Sequence, residues 1–594
     1  MEFTVRGILS DMVVPTLKNL CTRLGLEKSL SRKNELVEAL DRHLETNLES
    51  VLQQLTVMER NLVTEVAYSK GGYNPEVFRA KYSASVVSKP HGYYSRHDAD
   101  LTRIFYRVTE AGRYVMPPTL ASRTRELSAK PTPALVSAEP DIPKEVPDKR
   151  FGSRRVRIHE GAETSLIELK KVLGLAKAGK LRVAPKSKRP TKAAEKKVAS
   201  VLIRPDFELE IPEEYVEESY RREETAGGVR SHGWAVLIQQ CGWCNPRSEK
   251  LTLTKAGTRM LTQGRIEDFH EGVELFIEDD SFDELRRINH IRGQTGKAKR
   301  HMTLPSDRRN AIFDSMAHWP VDEWITLKEA HRFLRASGNT FKTCRNPLYL
   351  YFGDFQYGHL IDCKGVDLQY LRVFLMESLG TLGLVDIAYV FPHYLYPDFG
   401  GHWGMDDESF HGRYDGLLHV RLNQLGAYCL RLIEDYDPMP KQGKGLFRVL
   451  PNHDIVLLDH EQLSPSISDM LDSIADQASE FTWKIDRKPI LMHLESGGSV
   501  EDLQEFLDSY ATDGVPEQVR TFLTDLARRA RACKSKEDAV IVELTDQESA
   551  AEIANDSKTS KVCRLVGTTS VVVRKRNLKA FQNALKKMGY VLPQ

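Results

Sequence analysis

The chain has 594 residues, 41% of them hydrophobic and 28% charged, with a formal net charge of +1. That length exceeds what one hydrophobic core serves, and the composition is that of a folded chain, so about four globular units are expected. Eight scattered cysteines exclude a disulfide scaffold, while the opening MEFTVRGILSDMVV and the lack of an apolar run of ~18 residues argue against a leader or membrane span, leaving a cytoplasmic protein.

The first 46 residues contain VVPTLKNLCTRLGLEKSLSRKNELVEALDRHL from Val13 to Leu44. Leu17, Leu20 and Leu24 recur at helical spacing, Gly25 ends that helix, and Leu36, Val37 and Leu40 restart it. The polar turn between the two helices carries Lys28, Arg32 and Lys33. This hairpin resembles the SAP motif, a small DNA-binding helical pair, with Ser31 where the motif usually has glycine before its basic pair. The resemblance implies phosphate contacts from those three cations. Residues 47–128 follow with helix, Gly71-Gly72, a second helix and the strand-like Ile104–Val108, a winged-helix-like order. Residues 129–150 carry five prolines and are expected to be a linker.

Charge is concentrated in the next unit, residues 151–265. Lys170–Lys197 holds eleven Lys or Arg against the single acid Glu195. The spacing predicts a helix with Leu166, Leu169, Leu173 and Leu175 inside that ends at Gly179, an extended Leu181–Val183, and a helix that Thr191 caps. Lys186, Lys188 and Arg189 lie on the approach to that second helix, and Lys192, Lys196 and Lys197 on its faces. Cations massed beside a helix N-terminus suit a phosphate backbone, and lysines position a protein on nucleic acid more than they read its bases. Nine acids between Asp206 and Glu224 come next. A helix, Cys241-Gly-Trp-Cys244 and LTLTKAGTRML then suggest a second wing and closing helix. The Cys pair lacks the further ligands of a zinc site and the strand–helix setting of a redox site, so no metal is expected there.

Residues 266–445 are expected to form a helical or winged-helix middle domain. Its basic stretch includes Arg292, Lys297, Lys299 and Arg300, further candidates for phosphate contact. GQTGK at 293–297 has Ile291 and Ala298 where the GxxxxGK[ST] nucleotide loop requires glycine and a hydroxyl, which excludes that cofactor use. His393, His402, His411 and His419 with Asp398, Asp406, Asp407 and Asp415 match no compact metal-ligand spacing. LYLYFGDFQYGHL, ESLGTLGLVDIAYVFP and RYDGLLHVRLNQLGAYCL resemble segments of bacterial helicase-associated proteins related to the amino-terminal region of XPB-type DNA helicases.

Residues 446–594 read as strands and helices in alternation: FRVLPNHDIVLL, SVEDLQEFLDSYA, EQVRTFLTDLARRA, VIVEL, VCRLV, SVVVRK and FQNALKKMGYVL. Pro451–Ala550 carries 21 acids against nine Lys or Arg, a surface suited to protein docking rather than to phosphate. This domain resembles the one beside the motor of XPB-like helicases. The expected whole is an α+β, mainly helical chain of tandem winged-helix or helix-turn-helix modules and a helicase-associated domain. The basic segments, the acidic carboxy-terminal domain and the lack of a motor loop lead to the expectation of a non-catalytic scaffold on double-stranded DNA that recruits or assists a separate ATPase or helicase, and the resemblance implies bacterial repair or defence as its setting. A protein-binding adaptor and a metal-dependent nuclease built on the Asp398–Asp415 carboxylates are the alternatives.

Overall fold

A computed structural model describes residues 3–26, 30–83, 100–215, 228–289, 291–293, 301–346, 349–352, 366–395, 410–436, 445–458, 463, 465–496, 499–530 and 538–592. The chain divides into two compact units. One comprises Met1–Leu446, Asp459–Ser473 and Glu495–Ser499, and the other Phe447–Leu458, Ile474–Leu494 and Val500–Gln594.

The larger unit opens with helices α1 (Val5–Ser10), α2 (Val14–Arg23), α3 (Lys33–Gln54), α4 (Val57–Tyr68) and α5 (Pro75–Tyr82). Two-residue strands β1 (Arg107–Val108) and β2 (Tyr114–Val115) and helix α6 (Pro118–Leu127) complete this body. The start of α4 is fixed by a reciprocal cap: Thr56 Oγ1 accepts from the Glu59 amide at 3.3 Å, and Glu59 Oε2 accepts from the Thr56 amide at 2.8 Å. One apolar core runs from Leu9 to Ala121. The boundary expected at 46/47 falls inside α3, which bends at Asn47 (φ −127°, ψ 30°) without a break in that core.

The proline-rich stretch 129–150 lies along the molecule. The Ser137 amide donates to Glu329 Oε1 at 2.8 Å, the Glu139 amide to the Trp324 carbonyl at 2.7 Å, and Arg332 Nη2 to the Leu135 carbonyl at 2.7 Å. Proline removes a donor, but the amides between prolines still need acceptors, and Glu329 and Trp324 of the same chain supply those of Ser137 and Glu139. Its end forms β3 (Glu145–Asp148), paired with β4 (Gly152–Arg155).

A second core extends from Leu166 to Cys429, across the boundary expected at 265/266. Around it lie β5 (Arg157–His159), α7 (Ala162–Lys177), α8 (Lys192–Ala199), α9 (Arg230–Gln240), the hairpin β6 (Cys244–Arg247) and β7 (Lys250–Leu253), α10 (Lys255–Thr262) and α11 (Ile266–Glu278). They are followed by β8 (Ile291–Arg292), α12 (Pro305–Met316), β9 (Trp324–Thr326), α13 (Leu327–Ala336), β10 (Tyr351–Phe352) and α14 (Val366–Val373). A π-helical turn, Phe374–Leu379, runs into α15 (Gly380–Leu382). Then come β11 (Val385–Tyr389), β12 (Leu417–Leu422) and α16 (Gln424–Cys429). An antiparallel sheet of order β5-β11-β12-β9 joins segments far apart in sequence. Gly257 lets α10 approach the hairpin, since a Cβ there would stand 1.9 Å from the Trp243 carbonyl oxygen.

In the smaller unit, β13 (Phe447–Val449), β14 (Asp454–Leu457), β15 (Ala475–Ser479) and β16 (Thr482–Ile485) form an antiparallel sheet of order β13-β14-β16-β15. Helix α17 (Pro465–Ile474) lies between β14 and β15 in sequence, and α18 (Arg487–Ser496), α19 (Val500–Tyr510) and α20 (Glu517–Ala530) follow β16. A final sheet of order β17-β19-β18 comprises β17 (Ala539–Glu543), β18 (Cys563–Val566) and β19 (Ser570–Arg574). Helices α21 (Gln547–Asn555) and α22 (Leu578–Lys587) cover it through Ile553, Phe581 and Leu585. Mixed helices and small antiparallel sheets make this an α+β protein. Among the described residues, no helix is long and apolar enough to cross a membrane.

Candidate nucleic-acid interface

The basic block folds as helix, extended strand, helix, helix and hairpin. Leu181–Val183 runs beside the hairpin, with the Leu251 amide donating to the Leu181 carbonyl at 3.0 Å and the Val183 amide to the Glu249 carbonyl at 2.9 Å. The chain then doubles back: the Ala184 amide donates to the Arg189 carbonyl at 2.8 Å, and the Lys188 amide to the Ala184 carbonyl at 3.0 Å. Lys188 closes this turn in the left-handed region, at φ 57°. Thr191 then caps α8, its Oγ1 accepting from the Ala194 amide at 3.3 Å.

Helix α8 buries Ala194 and Val198, one turn apart, against α9, and this choice of face turns its lysines outward. Lys186, Lys188, Lys192 and Lys196 are exposed and make no ion pair among the described residues. Lys197 is also exposed, its Nζ 3.3 Å from the Lys180 carbonyl. Lys177, Lys180 and Arg182 extend the basic surface along the end of α7, and Arg247 and Lys250 add the hairpin to it. These five cations were not singled out from the sequence, and their signal was only that they lie within or beside the basic run. Ser248 and Glu249 form the two-residue hairpin turn with φ of 44° and 65°, the left-handed pair that such turns demand.

Arg189 departs from this face. The turn at Lys188 sends it, half-buried, toward α9. Glu195, the lone acid of the block, lies 2.7 Å from His232 Nδ1 on α9. Burial, reinforced by Arg287, lowers the His232 pKa, so the imidazole is neutral at pH 7.

Helix α9 itself is enclosed. Arg230, Trp234, Ala235, Leu237 and Ile238 are buried, and Gly233 meets the π-helical turn, where a Cβ would come within 3.3 Å of the Glu377 side chain. Of its residues only Val236 and Gln239 are partly exposed, so α9 offers little surface to a nucleic-acid groove. The exposed cations are on α8 and the hairpin instead.

The other candidates are dispersed. Arg32 and Lys33 are exposed at the start of α3, on the separate core of the amino-terminal helices. The Arg32 amide donates to Glu35 Oε2 at 3.2 Å. Lys28, Lys297, Lys299 and Arg300 lie outside the described residues. The backbone of Arg292 pairs with Tyr351 in β8–β10. In the acidic tract, Asp206 accepts from the amides of Arg230 and Ser231 at 2.8 and 2.9 Å, anchoring the start of α9, and Glu208 pairs with Arg157 at 2.7 Å. Glu217, Glu218, Glu223 and Glu224 are outside the described residues.

Cys241 and Cys244 are buried free thiols. Burial pushes the Cys244 thiol up to about 12 and Cys241 well above its ordinary value, so both are protonated and inert. Asp415 is saturated by Gln369 Nε2 at 2.9 Å and by the His411 amide at 2.7 Å. His419 Nε2 is 3.2 Å from Glu139, and His393 packs edge-on against Phe410. Asp398, His402, Asp406 and Asp407 lie outside the described residues. Among the described residues, no group of three or more His, Cys, Asp or Glu is placed to hold a metal.

Residues 449–566 match the family model of the helicase conserved C-terminal domain. The match marks a helicase-associated region running from β13 to β18, within the acidic part of the chain. No curated protein matches the chain.

Proposed function

We propose that this chain is a non-catalytic, multidomain scaffold that holds double-stranded DNA through its phosphate backbone and brings a separate ATPase or helicase to it. The observation that carries the reading is the face of α8 and the β6–β7 hairpin, where Lys186, Lys188, Lys192, Lys196, Arg247 and Lys250 are exposed and unpaired among the described residues. We take Ala162–Leu253 as a winged helix, an assignment supported by its helix–strand–helix–helix–hairpin order. It would dock by its second helix and wing, since its third helix is buried. Such contacts position the protein without reading bases. Arg32 and Lys33, on a SAP-like hairpin, would add a second phosphate contact.

The helicase C-terminal match supports a helicase-linked role, and we take this segment as the counterpart of the domain flanking the motor in XPB-type helicases. Its excess of acid favours a protein partner over phosphate. The chain's own GQTGKA segment lacks the nucleotide loop's first glycine and its hydroxyl.

One observation favours a second reading, a protein adaptor: the buried α9 withholds the helix with which winged helices usually read DNA. Anisotropy of a labelled duplex at 50 mM salt separates the two. The scaffold binds, and Lys188→Glu/Lys192→Glu/Lys196→Glu weakens it by at least about tenfold. An adaptor gives no binding at that salt, with wild type and variant alike.

A further inference from the structure

The end of the chain reverses the charge of the stretch before it. Ser557–Gln594 holds nine Lys or Arg and no Asp or Glu, although the whole chain carries 84 basic and 83 acidic residues. An ordinary solvated surface mixes both signs, so a run of this length without one acid leaves its cations with no counter-charge of their own.

This segment folds as β18, β19 and α22 against β17 and α21. The antiparallel register sets Cys563 opposite Val573 and Arg574 opposite Ala539. The start of β18, the end of β19 and the start of α22 therefore share one end of the sheet. Lys558 and Lys561, in the turn before β18, come to the same end as Arg574, Lys575 and Arg576, and all five are exposed. Acids there are few. Asp538 lies 3.7 Å from Lys575, and Asp556 accepts from the Lys558 amide at 2.8 Å. The side chains of Lys558, Lys561 and Arg564 make no ion pair or hydrogen bond among the described residues.

Helices α21 and α22 cover one face of the sheet, where Val542, Val571 and Val573 are buried with Ile553, Phe581 and Leu585. Strand side chains alternate, so the residues between these valines point to the other face. There Ile541, Val572 and Arg564 form one cross-strand row, Ile541 opposite Val572 and Val572 opposite Arg564. Ile541 is 65% exposed, and Glu543, the acid on this face, sits a row further from the basic end, opposite Ser570. An aliphatic row beside a cluster of cations suits a ligand with both anionic and apolar surface.

We propose that this open face and its basic end bind a single strand of nucleic acid, phosphates on Lys558, Lys561 and Arg564 and unstacked bases against Ile541 and Val572. A single strand offers its backbone and its base faces at once, whereas a duplex hides the bases and would leave Ile541 in water. With no aromatic platform in the row, charge supplies most of the affinity and the base sequence is not read. The site uses no residue of the α8 face and does not rest on its duplex reading.

The test is anisotropy of a fluorescent single-stranded oligonucleotide with the full chain carrying Lys188→Glu/Lys192→Glu/Lys196→Glu, which removes the α8 face. About four phosphate contacts predict a slope near −3 in log K against log salt, roughly a 50-fold loss between 50 and 200 mM. Adding Lys558→Glu/Lys561→Glu/Arg564→Glu should weaken binding at 50 mM by at least about tenfold. Ile541→Thr, which keeps a β-branched residue in the strand, should weaken it about threefold and leave the salt slope unchanged. The replaced side chains are exposed, so every variant should keep the parent's Tm. Affinity unmoved by the three β18-side substitutions or by Ile541→Thr overturns the proposal, as does a duplex of equal length bound as tightly as the single strand. Because the α8 face is absent from every arm, such a failure is separate from any failure of that face to hold duplex.

Discussion

At Lys188 the proposed interface coincides with a backbone cost. Its φ of 57° is a conformation that costs a side-chain-bearing residue about 1 kcal/mol, and the position still carries an exposed lysine. Lys188→Gly should therefore raise Tm while lowering the salt slope of duplex binding by about 0.9, the loss of one phosphate contact. An unchanged slope would place Lys188 outside the interface. His159 works in the opposite setting. Burial, with Arg230 and Arg204 nearby, holds its pKa well below the ordinary 6.5. The unfolded chain therefore binds the proton first, so stability is fully present above pH 6.5 and is lost as the pH falls below it. His232, also lowered, contributes with the same sign. Urea unfolding between pH 7.5 and 5.5 should show a slope of up to about 1.4 kcal/mol per pH unit from His159, and His159→Asn should flatten it. Equal slopes in the two proteins would contradict this origin.

At the scale of elements, the burial of α9 decides how the basic module can be used. Glu168 on α7 is fully buried and accepts from Arg230, from Trp234 Nε1 at 3.1 Å and from the Ile203 amide at 3.2 Å. Glu168→Leu strands the buried Arg230 cation and should cost about 3–5 kcal/mol in urea unfolding, whereas Glu168→Leu/Arg230→Leu should cost less than that single change. A loss under about 1 kcal/mol in the single variant would mean the pair is not what binds α7 to α9. Local elements were legible in the sequence because their signals are local. Thr191 is the predicted cap; of the predicted core face Leu166, Leu169 and Leu173 are buried and Leu175 only partly so; and α19 and α20 occupy the segments whose periodicity marked them. The β5-β11-β12-β9 sheet was not legible, because it pairs Arg157–His159 with strands more than 200 residues away. Nor was β15, whose ADQAS carries no strand preference and is held by pairing with the Trp483 strand. In the site, the lysine run was plain from composition. The inward turn of Arg189 depends on tertiary packing alone.

The molecule as a whole segregates charge. A chain of net charge +1 carries an excess of ten positive charges in Lys170–Lys197 and an excess of twelve negative charges in Pro451–Ala550. One region suits a polyanion and the other repels it, which is the division of labour expected of a scaffold joining nucleic acid to a protein partner. The salt dependence of duplex affinity tests this most directly. Kd for a fluorescent duplex should be measured from 50 to 200 mM salt for the wild type and for Lys188→Glu/Lys192→Glu/Lys196→Glu. About six phosphate contacts predict a slope near −5 in log K against log salt, a loss of roughly 1,000-fold over that range, and a markedly shallower slope in the variant. A wild-type slope near zero, or one the three substitutions leave unchanged, would contradict the account.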